Sequence, residues 1–194
     1  GSGVDMMHFK KEPLPEKLAV LMIARLLWSK GIREYLESVK IIKKERPDVR
    51  AMLVGGLDNN DEALTKEELD SFIAQNDIEY YGHLDDVRPI LKQCSIFILP
   101  SYHEGTPRSV LEAMATGRPI ITTDAPGCRE TVVEGENGYL VSVGDSTLLA
   151  KKALELLNNT IQLNAMAERS YEICREKYEV GIVNQIMIDR MFRD

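Results

Sequence analysis

The segment SYHEGTPRSVLEAMATGRP, residues 101–119, concentrates carboxylates and hydroxyls around one predicted turn. Glu104 and Glu112 stand on either side of this turn, which opens into an apolar helical pattern. A carboxylate accepts hydrogen bonds from hydroxyl groups, and Gly105 lets a ligand approach the backbone closely. Glu112 lies about 9 Å further along the predicted helix, at 1.5 Å per residue, so the two carboxylates would contact different parts of one extended ligand.

The same turn predicts a helix start that can bind an anion. Thr106 is a favourable N-cap and Pro107 suits the first helical position, which leaves the amides of Arg108 and Ser109 without partners. Such amides and the helix dipole attract negative charge, so we expect a diphosphate here and a sugar beside it. The alternative is a capping box between Ser109 and Glu112, in which Glu112 only ties down the first helical turn.

Two cations, Arg25 and Lys30, follow the first predicted strand. Arginine can bind a diphosphate as a planar fork and lysine as a point charge. Taken singly, each of these residues would more commonly be an ordinary surface cation. They become candidates for binding a diphosphate because the predicted fold places them opposite the 101–119 segment. No G-x-G-x-x-G pattern follows this strand, which disfavours a dinucleotide cofactor.

Histidines supply the remaining candidates. Gly82 and His83 follow the third predicted strand, where the backbone of the loop could meet a flat base. His103 precedes Glu104 and could contact the ligand, although a single loop histidine is more commonly structural or solvated. No cluster of residues has the spacing of metal ligands, so no metal site is predicted.

Apolar runs and amphipathic segments alternate along the chain. The runs predict six strands, at 18–24, 50–56, 79–83, 95–101, 118–124 and 137–143. Helices are predicted from Ile32 to Pro47, at 61–75, 85–94 and 107–116, and after the sixth strand at 145–158, 160–177 and 180–192.

This alternation predicts an α/β domain with a doubly wound, six-stranded parallel sheet and C-terminal helices. In the usual order 3-2-1-4-5-6, the first and fourth strands are neighbours, and ligands bind beyond their carboxyl ends. The loop with Arg25 and Lys30 should therefore face the loop with Glu104.

Composition narrows the class of protein. The chain has 194 residues, 44% of them hydrophobic, and a formal charge of −7, which disfavours binding to nucleic acid. Three widely spaced cysteines, Cys94, Cys128 and Cys174, are expected to be buried and unpaired, as in a reducing compartment. No apolar stretch reaches membrane-spanning length.

The stretches HEGTPRSVLEAMATGRPIITTD, ARLLWSKG and GHLDDV together resemble a known family. Over residues 17–180 the chain resembles the donor-binding C-terminal half of retaining glycosyltransferases of family four, whose fold is called GT-B. The resemblance implies a domain that binds a nucleoside-diphosphate sugar without a metal ion or another cofactor. It also implies transfer with retention, in which the diphosphate itself assists the acceptor.

The resemblance also assigns roles to single residues. Arg25 and Lys30 would hold the diphosphate as electrostatic catalysts, and Glu112 would bind the ribose. Glu104 would bind the sugar hydroxyls. The backbone groups expected to contribute are those of Gly105 and Thr106 for the sugar, of Arg108, Ser109, Val110 and Leu111 for the phosphates, and of Gly82 and His83 for the base.

The family likeness finally suggests how the chain is organised. Residues 1–16 would be a tag remnant and lead-in, 17–178 the binding domain, and 179–194 a helix crossing to an N-terminal acceptor domain that this sequence lacks. We expect a cytoplasmic location, contact with the inner face of the membrane only through the full-length protein, and possible self-association through the last helix. A non-catalytic nucleotide-sugar binding module and a nucleotide-sugar epimerase are the alternative functions.

Overall fold

One parallel sheet forms the centre of the molecule. The computed structural model describes residues 3–58, 60 and 62–191. Its strands are β1 (Ala19–Ile23), β2 (Arg50–Val54), β3 (Ile78–Tyr80), β4 (Ile96–Leu99), β5 (Ile120–Thr123) and β6 (Gly138–Val141). All are parallel, in the order β3-β2-β1-β4-β5-β6, which confirms the predicted doubly wound sheet.

Seven α-helices cover the described part of the sheet. They are α1 (Ile32–Glu45), α2 (Lys66–Asn76), α3 (Arg88–Leu91), α4 (Arg108–Ala115), α5 (Ser146–Leu157), α6 (Thr160–Lys177) and α7 (Val180–Met191). Two 3₁₀ turns, Trp28–Lys30 and Arg129–Thr131, lie in the loops after β1 and β5. No helix in the described ranges has the length and apolar character needed to cross a membrane.

The strands are apolar because helices cover both faces of the sheet. Every residue of β4 is buried, as are the first four of β1. In the register between these strands, Val20 lies opposite Ile96 and Leu21 opposite Phe97. The carboxyl ends of β1 and β4 therefore lie side by side, and the loops that follow them share one edge of the sheet.

Two helices are shorter than their sequence patterns predict. Helix α2 begins after Thr65, whose hydroxyl accepts from the Glu68 amide while the Glu68 carboxylate accepts from the Thr65 amide at 3.0 Å. This capping box sets the start, and the predicted first residue, Asp61, lies outside the described residues. In α3 only the four residues Arg88–Leu91 are helical, and at its start the Asp86 carboxylate accepts from the amide of Arg88 at 3.0 Å.

The two ends of the chain meet at one side of the domain. The Val4 amide donates to the carbonyl of Tyr178 at 2.8 Å, and the Val180 amide donates to the carbonyl of Val4 at 3.0 Å. Helix α7 then exposes an apolar surface, whose large side chains, 38–77% exposed, are Ile182, Ile186, Met187, Ile188 and Met191. The predicted last helical residue, 192, lies outside the described residues.

All three cysteines are buried and free, as predicted. Burial raises the pKa of Cys94 and of Cys174 to about 12, so both remain neutral thiols at neutral pH. These side chains behave as small apolar residues of the core.

A fully buried arginine joins three separate segments. Arg118 donates through Nε to the carbonyl of Leu91 at 3.0 Å, and through its other nitrogens to the carbonyls of Glu12 at 3.2 Å and Pro13 at 3.0 Å. The side chain thus connects the end of α3, the N-terminal lead-in and the start of β5. The charge is tolerated inside because its N–H groups have carbonyl partners.

We expect Arg118→Met to lower the free energy of unfolding by about 3 kcal/mol, because buried carbonyls lose their donors. Urea denaturation followed by circular dichroism measures the change. Arg175→Met, at an exposed position of α6, is the matched control and should change stability by less than about 0.5 kcal/mol. Equal stability of the two variants would show that the Arg118 hydrogen bonds do not hold these segments together.

Candidate functional site

An open crevice of about 680 Å³ lies beyond the carboxyl ends of β1, β2 and β4. The sequence-predicted site residues that line it are Arg25, Lys30, His83, Glu104, Arg108, Ser109 and Glu112. The loop after β1 and the loop after β4 therefore face one cavity, as predicted. Gly82, Gly105, Thr106, Val110 and Leu111 do not line it, and neither does His103.

An ion pair joins the two loops inside the crevice. Lys30 Nζ lies 2.8 Å from Glu104 Oε1, and the two side chains are only 21% and 15% exposed. At that distance and exposure, the two side chains form a partly buried ion pair. The crevice thus contains a cation for a phosphate and an anion for hydroxyls, already paired with each other.

Backbone contacts position the two members of this pair. The carbonyl of Ser29 accepts from the Tyr102 amide at 3.0 Å and from the Ser101 hydroxyl at 3.2 Å. Gly31 ends the turn that presents Lys30, with a φ of +75° that favours glycine. A side chain at Gly31 would overlap the carbonyl of Pro100, because the chain passes directly over β4 there.

The loop after β5 supports Glu104 from behind. The Glu104 amide donates to the carbonyl of Pro126 at 3.0 Å. Gly127 has a φ of +81°, and a side chain there would overlap the carbonyl of Glu104. We did not predict a role for these residues, although the sequence APG directly after a strand is a turn signal that marks them.

Helix α4 begins one residue later than predicted. Its N-cap is Pro107, in an extended conformation and without a side-chain cap, so the prediction that Thr106 caps the helix was wrong. The carbonyl of Pro107 accepts from the amides of Val110 at 3.1 Å and Leu111 at 3.2 Å. These two amides donate inside the helix in the unliganded chain, and their contact with phosphate stays a prediction.

Free amides remain just before and within the first turn of α4. Among the described residues, the amides of Gly105, Thr106, Arg108 and Ser109 have no hydrogen-bond acceptor. Those of Arg108 and Ser109 belong to residues that line the crevice, and they occupy the positive end of the helix. This end of α4 can therefore bind an anion in the crevice.

Glu112 is the second carboxylate of the crevice. Its side chain makes no hydrogen bond within the described ranges, which contradicts the capping-box alternative with Ser109. Burial raises the pKa of Glu112, and the nearby charge of Arg108 partly opposes the change. A carboxylate that is half-buried and unpaired is available to accept hydrogen bonds from a ligand.

Arg25 and His83 lie at the rim of the crevice. Arg25 is 69% exposed and its guanidinium lies 3.4 Å from Asp58, a weak surface pair. His83 is also exposed, with Nε2 3.4 Å from Asp85 Oδ1. The preceding Gly82 has a φ of +65°, and its carbonyl accepts from the Gly55 amide at 2.8 Å. This bond connects the loop after β3 to the loop after β2, and His83 lines the crevice on that side.

A comparison with protein-family models matches residues 5–173 to one described as "Glycosyl transferases group 1". A curated relative, N,N'-diacetylbacillosaminyl-diphospho-undecaprenol alpha-1,3-N-acetylgalactosaminyltransferase of Campylobacter jejuni, is 34% identical over 92% of this chain and 46% of its own length. The chain spans about half the length, or less, of the curated relatives that it matches.

Solved structures agree with the family match. The C-terminal domain of a group 1 glycosyl transferase (LpcC) from Francisella tularensis is 28% identical, with a TM-score of 0.81 over 92% of this chain and all of that domain. The fold is also that of Anabaena HepE in complex with UDP and glucose, with a TM-score of 0.83 at 24% identity, over 97% of this chain and 55% of that one. The chain therefore belongs to the glycosyl transferases group 1 family and has the Rossmann-like fold of a GT-B domain.

Proposed function

We propose that the chain is the donor-binding part of a retaining, metal-independent glycosyltransferase that transfers a sugar from a nucleoside-diphosphate sugar to an acceptor hydroxyl. The observation that carries this proposal is the Lys30–Glu104 pair, which lies in one crevice with the free amides at the start of α4. A cation and amides suit a diphosphate, and a carboxylate suits the hydroxyls of the sugar attached to it.

Transfer breaks the bond between the anomeric carbon and the diphosphate oxygen, so negative charge grows on the leaving diphosphate. Lys30 and the amides of Arg108 and Ser109 are positioned to bind that charge, with Arg25 at the rim as a weaker contributor. Groups that bind the developing charge more strongly than the ground state accelerate the reaction.

Donor binding would exchange the partners of the ion pair. Without a ligand, Lys30 binds Glu104; with one, the diphosphate would take Lys30 and the sugar hydroxyls would take Glu104. This exchange explains how two charges can both serve the ligand and yet be satisfied in its absence. Glu104 is then a hydrogen-bond acceptor for the sugar and not a nucleophile, in agreement with retention assisted by the diphosphate.

The remaining contacts follow the length of the crevice. Glu112 would accept from the ribose hydroxyls, and the loop of Gly82 and His83 would lie beside the base. Because the amides of Val110 and Leu111 are used within α4, the phosphate contacts come from the first two residues of the helix.

The relatives suggest which donors and acceptors to test first. One solved neighbour binds UDP and glucose, and the Campylobacter jejuni relative is named for transfer of N-acetylgalactosamine to an undecaprenol-linked saccharide. We infer a uridine diphosphate sugar as donor, a role in polysaccharide or glycoconjugate synthesis, and an acceptor domain that completes the active site. The cytoplasm, at the inner face of the membrane, is the location that such chemistry needs.

Calorimetric titration of this chain with UDP, GDP and ADP, and then with their sugars, tests the proposal directly. We expect binding of one diphosphate in the presence of EDTA, and a loss of about tenfold to a hundredfold in affinity for Lys30→Ala, because one charge-assisted contact disappears. Lys66→Ala removes the same charge from the exposed surface of α2, where Lys66 pairs with Asp70, and is the matched control.

In the chain joined to its acceptor domain, Lys30→Ala should lower the transfer rate by about a hundredfold to a thousandfold. Unchanged diphosphate affinity and unchanged transfer for Lys30→Ala would exclude the proposed role of the crevice. Release of an isomerised sugar without any acceptor would identify an epimerase instead.

Glu104→Gln should separate recognition of the sugar from recognition of the diphosphate. UDP should bind at least as tightly as before, because Lys30 no longer has a competing carboxylate. The ratio of the affinity for the UDP-sugar to the affinity for UDP should fall by about tenfold, because the sugar hydroxyls lose a charged acceptor. Calorimetry measures both constants, with Glu67→Gln on the exposed face of α2 as control; a parallel loss of UDP affinity would contradict the exchange of partners.

Glu112→Gln should make the unliganded chain more stable at pH 7. A carboxyl with a raised pKa binds more protons in the folded than in the unfolded state, so its contribution to stability is present in acid and is lost as pH rises through the folded pKa. The gain should therefore disappear below the ordinary pKa of 4.5, where both states are protonated. Urea denaturation at pH 7 and in acid measures it; a gain of equal size at both pH values would assign it to packing.

A further inference from the structure

A second cavity, of about 410 Å³, lies beside the crevice and shares none of its lining residues. It is lined by Trp28, Ser29, Arg33, Glu34, Glu62 and Tyr102, and we call it the α1 pocket. Half of its lining comes from the two loops that carry Lys30 and Glu104, and the rest comes from the start of α1 and from Glu62. Trp28 belongs to the 3₁₀ turn that ends in Lys30, and Tyr102 precedes Glu104 by two residues.

Glu34 is the unusual residue of this pocket. It is only 7% exposed, and its Oε1 accepts from the Tyr102 hydroxyl at 2.8 Å. Its Oε2 is buried and has no hydrogen-bond partner among the described residues. A buried carboxylate oxygen without a donor is costly, and an occupant of the pocket that donates a hydrogen bond would satisfy this oxygen if the Glu34 side chain turned toward it.

The other walls restrict what that donor can be. Glu34 and Glu62 place two carboxylates in the pocket against one guanidinium, which disfavours phosphate and other anions. Arg33 already covers one face of the Trp28 ring, 4.7 Å from its centroid, so that face is not free for a cationic occupant. The half-exposed ring of Tyr102 adds an apolar surface. A neutral sugar fits this lining, because its hydroxyl groups can donate hydrogen bonds to the carboxylates and its apolar C–H faces can pack against the aromatic rings.

We propose that the α1 pocket binds a neutral saccharide, and that this saccharide is part of the acceptor. The first statement rests on the pocket alone, whereas the second rests also on the proposed function. The carbonyl of Ser29 binds both the Tyr102 amide and the Ser101 hydroxyl, so the pocket and the Lys30–Glu104 pair are held as one unit. A saccharide in the pocket would therefore be bound by the same two loops that hold the Lys30–Glu104 pair.

The chain contains one tryptophan, so its fluorescence reports on this pocket. Titration with maltotriose and with N,N'-diacetylchitobiose should change the emission of Trp28 saturably for at least one of them. Glu34→Gln and Tyr102→Ala should each weaken that binding by about tenfold, because one loses a charged acceptor and the other an aromatic wall. Glu37→Gln, on the same helix but outside the pocket, should bind as the unchanged chain does.

Several outcomes would overturn the proposal. The first is that neither saccharide gives a saturable response. The second is that Glu34→Gln and Tyr102→Ala bind the saccharide as tightly as the unchanged chain does. The third is that only choline or inorganic phosphate gives a response. Calorimetry with UDP on the same samples separates the two statements. If UDP binds and no saccharide does, the α1 pocket is not a saccharide site and the proposed function still stands. If a saccharide binds and no nucleoside diphosphate does, the pocket is a saccharide site but its assignment to the acceptor is wrong.

Discussion

The Lys30–Glu104 ion pair is the contact on which the site depends, because it joins the loops after two strands through residues that are 74 positions apart in sequence. The strands are neighbours only because the sheet is doubly wound. Gly31 turns the chain over β4, and the carbonyl of Ser29 binds the loop that carries Glu104, so the pair forms without a ligand. In the proposed function, a diphosphate and a sugar would replace one partner each, so the unliganded crevice would be a preorganised receptor for both.

A second constraint is the start of α4. Pro107 has no amide of its own, and its carbonyl takes the amides of Val110 and Leu111, so the free donors facing the crevice are confined to the first helical turn. The loop after β5 holds the residues before this turn through Pro126 and Gly127. Half-buried Glu112 follows along the same helix. Phosphate, sugar and ribose would thus be bound by one short segment whose position is determined by its neighbours.

Much of this arrangement could be predicted from local pattern. Continuous apolar runs indicate buried parallel strands, and their alternation with helices predicts the strand order and hence the crevice. That reasoning places Lys30 and Glu104 in one cavity. It fails at single-residue accuracy. Thr106 is a good N-cap by type, yet the helix starts beyond Pro107, and one residue of shift decides which amides are free.

The sequence by itself determined the doubly wound sheet and the residues that follow its strands, because hydrophobic periodicity and turn residues act over short distances. Tertiary structure alone decided the partners. Arg118 joins its own segment to the carbonyls of two others, and Gly127 lies against Glu104. Glu34 is buried beside Tyr102, with one oxygen that has no partner among the described residues. Each of these contacts joins parts of the chain that are distant in sequence. Their distances and burial depend on how the helices pack on the sheet. A local sequence pattern does not contain that information, because it covers only residues that are close together in the chain.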